Sequence, residues 1–122
     1  MITGFDHVQL AIPAGGEPTA RAFYGAVLGM TEVPKPPVLA ARGGCWFTSG
    51  SAVVHLGVEA PFHPARKAHP AFIVTDLAET ERALRAAGCP VAKGDGEIPG
   101  IRRIHGADPF GNRLEFQQGA PG

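Results

Sequence analysis

The sequence predicts an α+β domain built from two βαβββ modules. Two observations carry that expectation. Residues 5–12 alternate, with Val8, Leu10 and Ile12 on one side of a strand and Phe5, His7, Gln9 and Ala11 on the other; a second histidine-headed segment, residues 69–74, begins 62 positions later. Both segments then run through a short turn into a helix-like stretch that ends in Leu-Gly or Ala-Gly. The spacing from His55 to Glu115 is 60 positions, so the last strands of the two halves fall under the same repeat. A two-copy repeat of this length points to a pseudo-symmetric domain whose sheets face a shared cleft, and not to a solenoid.

Each element has a local reason. After the first strand, residues 13–16 turn the chain, and Pro18 suits a helix start because its missing N–H has no partner to lose there. Ala20, Phe23, Tyr24, Val27 and Leu28 recur at helical spacing, and Gly29 stops the helix. Residues 31–33 read as a short strand. Pro34, Pro36 and Pro37 break it and open a loop through Gly44. Residues 45–48 and 52–58 form a hairpin around Ser49-Gly50-Ser51, with Val54, Leu56 and Val58 on one face and Val53, His55 and Gly57 on the other.

Residues 59–68 form a Pro-containing, basic link between the halves. Asp76 with Glu79 three positions on is a helix-start signature. Leu77, Thr80, Leu84 and Ala87 line that helix, and Gly88 ends it. Residues 90–92 read as a strand, 93–100 as a Gly-rich loop, 101–105 as a strand, 108–112 as a turn and 113–117 as the last strand. The expected organisation is a single domain over 1–122, with one module in 1–60 and the second in 68–118.

Composition excludes several classes of function. Eleven basic and eleven acidic side chains give a formal net charge of zero, which supports neither a nucleic-acid partner nor a membrane surface. No apolar run approaches the ~20 residues of a membrane span, and the first residues do not read as a signal peptide. Two cysteines, Cys45 and Cys89, do not make a disulfide framework, so a reducing cytoplasm is expected.

Four strands carry one metal-capable side chain each, on the face opposite their aliphatic residues: His7, His55, His69 and Glu115. Imidazole nitrogen and carboxylate oxygen suit a divalent first-row metal and leave positions open for substrate. Gln9 shares the face of His7 and is placed to orient a ligand. Trp46 and Phe47 alternate, so one walls a cavity and the other packs beneath a helix. Arg102 and Arg103 also alternate; Arg103 is the one expected to meet an anionic group of the substrate. His105 reads as a solvent-facing or hydrogen-bonded residue that could touch substrate if its side chain faced the cleft, His63 as exposed, and Arg66 and Lys67 as linker charges that could hold an anionic substrate group at the rim. Asp108 and Asn112 are expected to serve the turn, and Cys45 to be a packed thiol.

His7-Val8-Gln9-Leu10, residues 22–30 (AFYGAVLGM) and residues 108–116 (DPFGNRLEF) resemble the vicinal oxygen chelate superfamily, the glyoxalase/bleomycin resistance protein/dioxygenase family. The resemblance implies two βαβββ modules forming a cup-shaped mixed sheet, as in glyoxalase, bleomycin resistance and dihydroxybiphenyl dioxygenase proteins. It implies metal ligands at His7, His55, His69 and Glu115 and a divalent ion such as Fe, Mn, Zn, Ni or Co. Catalytic roles would fall to His55 and Glu115, and Gln9, Trp46 and Arg103 would touch a small oxygen-bearing substrate. His55 stands where glyoxalase I would be expected to have Glu. The expectation is a metal-dependent lyase, isomerase or dioxygenase working as a cytoplasmic homodimer. The alternative is a metal-free protein that binds a small molecule or an antibiotic, as the bleomycin-sequestering members do.

Overall fold

Leu10, Ile12, Val54, Leu56 and Phe47 are all buried, and they account for the first sheet. Their strands are β1 (Val8–Ile12), β2 (Thr31–Val33), β3 (Cys45–Ser49) and β4 (Ala52–Val58), in the order β1-β4-β3-β2. β1 runs parallel to β4, and the remaining pairs are antiparallel. The structure is a computed structural model that describes residues 1–119.

The second sheet repeats that topology. β5 (Ala71–Val74), β6 (Val91–Lys93), β7 (Arg102–Ala107) and β8 (Arg113–Gln118) lie in the order β5-β8-β7-β6, with β5 parallel to β8. β7 is antiparallel to both β8 and β6. The chain divides into two compact units, one from Met1 to Pro64 and one from Ala65 onward. The two units are thus copies of one mixed-sheet design, and the chain is α+β.

The helices differ from the simple reading of the sequence. The first begins as α1 (Glu17–Ala20) and continues through Arg21–Val27 as a π-helix. Leu28 N–H donates to Phe23 C=O, five residues back, at 2.9 Å. The wider turn reduces the angle between neighbouring side chains, and the adjacent Phe23 and Tyr24 are both buried. The expected loop 34–44 contains a short helix, α2 (Pro37–Ala40), which Pro37 starts at a position where no N–H is required. α3 (Leu77–Ala86) follows its capping signature: the Asp76 carboxylate accepts from Glu79 N–H at 3.0 Å. No helix among the described residues is long and apolar enough to cross a membrane.

The turn before β8 is held from within. Asp108 Oδ1 accepts from Phe110 N–H and Asn112 N–H, each at 2.9 Å, and Asn112 Nδ2 donates to Asp108 Oδ2 at 2.9 Å. Gly111 there has φ +94°, which favours glycine. Asn112 Oδ1 also accepts from Ala65 N–H at 2.9 Å, fastening the start of the second unit to the turn that launches β8. β8 therefore enters the sheet with fixed register, and that register positions the site.

Candidate metal centre

Glu115 sits at the middle of β8, between β5 and β7. Its neighbours Leu114 and Phe116 are buried among apolar side chains, and Glu115 is itself only 4% exposed. A buried carboxylate must be compensated by donors or charge. The sheet register supplies both. Glu115 is paired with Ala71 on one side and His105 on the other. Its N–H donates to Pro70 C=O at 3.0 Å, and His69 is the residue immediately before.

Three nitrogens converge on one oxygen. Glu115 Oε1 lies 3.0 Å from His69 Nε2, 3.1 Å from His105 Nε2 and 3.4 Å from Arg103 Nη1. The other oxygen, Oε2, accepts from Gln117 Nε2 at 2.7 Å. Burial pushes the Glu115 carboxyl upward. The hydrogen bonds from Gln117 and His69 and the charges of Arg103 and His105 outweigh it and hold the group at about 2. Glu115 is a carboxylate throughout the physiological range.

His69 carries a further constraint. Its Nδ1 lies 2.9 Å from Lys67 C=O, an acceptor, so Nδ1 bears the proton. In the neutral ring Nε2 is then a lone pair, aimed at a carboxylate oxygen 3.0 Å away. Two acceptors face to face need a positive charge between them, either a second proton on His69 or a metal ion. An imidazole that donates one N–H to a backbone carbonyl and offers the other nitrogen is the usual metal-binding arrangement. The separations also fit. Two ligand atoms about 2.1 Å from one ion and at right angles lie about 3.0 Å apart. His69, His105 and Glu115 each offer one ligand atom within 4.8 Å of the others. The donor set of two imidazoles and one carboxylate fits a divalent first-row ion.

The first unit brings its own expected residues together differently. His55 on β4 is paired with Gln9 on β1 and Trp46 on β3. Trp46 lies flat on His55, with centroids 3.8 Å apart and planes 3° apart. His7 stacks on His55 at 3.9 Å and 21°. Imidazole lone pairs lie in the ring plane, so two nearly parallel rings this close do not aim at one ion. As they stand, His7 and His55 do not form a chelating pair. His7 Nδ1 is held by Asp6 Oδ2 at 2.8 Å, and its Nε2 is the atom left for a ligand role. The amide of Gln9 lies over Gly57, where a Cβ would meet Gln9 Nε2 at 2.5 Å. Burial first, and the neighbouring charge of His7 second, lower the His55 pKa below its ordinary 6.5.

Trp46 faces the histidines, and Phe47 is in the core beside Tyr24, with ring centroids 5.9 Å apart. Arg103 is the inward arginine of its pair, and Arg102 is exposed. Besides Glu115, Arg103 reaches Glu97 through Nη2 at 3.3 Å, and its buried Nε–H has no partner among the described residues. Burial raises the Cys45 thiol to about 11, which keeps it protonated and inert.

His105 joins this cluster although the sequence alone favours a solvent-facing or hydrogen-bonded role for it. Its signal was present in the repeat: Trp46 and His105 occupy the same place on the third strands of the two modules, each paired with the functional residue of the fourth.

The family described as the Glyoxalase/Bleomycin resistance protein/Dioxygenase superfamily matches residues 4–116. The chain belongs to this superfamily. The vicinal oxygen chelate fold is shared with a protein of Bacillus anthracis assigned to the glyoxalase family, 48% identical over 97% of this chain and 96% of that one, with a TM-score of 0.90. Two crystal structures of the fosfomycin resistance protein FosX from Listeria monocytogenes share the fold at lower identity. One is 16% identical, covers 99% of this chain and 97% of that one, and has a TM-score of 0.78. The other, a variant complexed with Mn(II) and 1S,2S-dihydroxypropylphosphonic acid, is 18% identical over 99% and 95% of the two chains, with a TM-score of 0.79. A search of curated proteins gave no match.

Proposed function

We propose that this superfamily member is a metal-dependent enzyme acting on a small oxygen-bearing substrate, with His69 and Glu115 as ligands of a divalent ion. The observation that carries the reading is the convergence on Glu115 Oε1, with His69 Nδ1 already committed to the Lys67 carbonyl. A bound divalent ion would polarise vicinal oxygens and stabilise negative charge developing on them. The chain's own residues supply the rest. Glu115 remains ionised, so it offers a ligand oxygen at any working pH. Arg103, whose Nη1 lies 3.4 Å from Glu115 Oε1, provides the cationic contact for an anionic group.

His55 is assigned to proton movement and not to ligation. Its ring is stacked on both faces, which fixes its plane, and its lowered pKa leaves it neutral near pH 7 and able to accept a proton. Trp46 and Gln9 line the same face of the first sheet and are proposed to contact the substrate. The proposal extends to a homodimer in a reducing cytoplasm, where Cys45 and Cys89 stay as free thiols.

The test is elemental content. Protein purified without chelators, or reconstituted afterwards, is expected to carry about one transition metal per chain, and Glu115→Ala to carry none. Absence of metal from the reconstituted wild type would contradict the proposal and favour the metal-free binding alternative.

A further inference from the structure

We infer that His105 is a further protein ligand of the ion, beside His69 and Glu115. This deepens the proposed function and rests on it. The superfamily resemblance draws ligands from the first and last strands of a module; His105 lies on β7, the third strand.

Four observations support the assignment. The β7–β8 register puts His105 directly across from Glu115. Its Nε2 points at the same oxygen as His69 Nε2, at 3.1 Å against 3.0 Å. The two imidazole rings are close to perpendicular, 76° apart with centroids separated by 5.7 Å. Edge-on rings at such an angle can direct both in-plane lone pairs at one point, which the stacked rings of the first unit do not. Finally, the His105 side chain is 17% exposed, against 25% for His69 and 5% for Glu115, so it belongs to the same shielded cluster.

One group opposes an added cation. Arg103 Nη1 lies 3.4 Å from the same oxygen. Its charge is shared with Glu97 through Nη2 at 3.3 Å, and that carboxylate offsets part of the repulsion. Two imidazoles and a carboxylate on one side of an ion leave the opposite side open, which is the arrangement that admits a chelating substrate.

The alternative role for His105 is that of a positioning residue that only donates Nε2–H to Glu115. Two variants separate these roles. His105→Gln retains an N–H donor for Glu115 but removes the nitrogen ligand; His105→Ala removes both. The probe is Cu(II), whose paramagnetic resonance spectrum counts coordinated nitrogens, alongside Zn(II) affinity by chelator competition. The ligand assignment predicts one fewer coordinated nitrogen in both variants and a Zn(II) affinity lowered on the order of 10- to 100-fold in each. Wild-type nitrogen count in His105→Gln overturns the assignment and leaves the metal proposal standing. A wild type that binds neither ion overturns both.

Discussion

His55 and Glu115 occupy the same place in their modules: the middle of the fourth strand, between a parallel first strand and an antiparallel third. Their surroundings diverge on the third strand. Across from His55 is Trp46, and across from Glu115 is His105. In the first unit a large flat ring lies under an imidazole, and His7 adds a third ring to the stack. In the second unit a carboxylate takes the central place, and imidazoles approach it by their edges. The lesson is that one backbone design can make a ring platform or a chelating cluster, according to whether its central residue is planar and apolar-faced or a compact anion. On the proposed function the ion belongs to the second design, and aromatic contact and proton movement to the first.

The largest expected effect comes from removing the anion. Glu115→Gln keeps the shape but takes away the charge that gathers His69, His105 and Arg103. Metal affinity is expected to fall by on the order of 10²-fold or more, measured by competition with a chelator of known affinity. The matching change in the first unit, His55→Gln, is expected to leave metal affinity within a few-fold of wild type. Equal losses from the two variants would erase the distinction between the units.

Acid should reach the second unit through Glu115. Its folded pKa of about 2 lies below the ordinary 4.5, so between those values the unfolded chain binds more protons than the folded one. The stabilisation is fully present above pH 4.5 and is lost as pH falls through about 2. It amounts to roughly 3 kcal/mol if the whole shift is realised. Urea unfolding of metal-free protein at several pH values between 6 and 2 is expected to show this decline, and Glu115→Gln to flatten it. An equally steep decline in the variant would assign the acid sensitivity to other groups.

A smaller effect belongs to the first unit. The chain has one tryptophan, Trp46, and it lies on His55. Its fluorescence is expected to change as His55 titrates, with a midpoint below 6.5 because burial and the charge of His7 disfavour the protonated ring. His55→Gln should abolish the step. Loss of the stacking itself, in His55→Ala, is expected to cost about 1 kcal/mol of stability. A midpoint above 6.5 would mean that Asp6, and not burial, governs the ring.

Much of this architecture is legible in the sequence because strands announce themselves by alternation. Val54, Leu56 and Ile104, against His55 and His105, mark their own faces, and the histidine-headed repeat sets the two modules in register. The Asp76 cap and the Asp108–Asn112 turn are visible because their side chains act on backbone groups only two to four positions away. What escapes is decided by contact between distant residues. The π-helical continuation after Ala20 follows from burial of both Phe23 and Tyr24, and a periodicity of 3.6 does not reveal it. The helix Pro37–Ala40 is too short to show a period. At the site, residue type marks His55 as metal-capable, but the plane of its ring, stacked on Trp46, comes only from the fold. Residue type alone does not raise His105 above a hydrogen-bonded or solvent-facing side chain. Its importance lies in its pairing with Glu115, which the third-strand equivalence with Trp46 would have exposed.

The most direct test of the account is the nitrogen spectrum of the five histidines in 15N-labelled protein, titrated with Zn(II) to one equivalent per chain. The account predicts that Nε2 of His69 and His105 move together to ligated shifts, that Nδ1 of His69 keeps its proton, and that the nitrogens of His55 do not take ligated shifts. Ligated shifts at His55, with His105 unchanged, would contradict it.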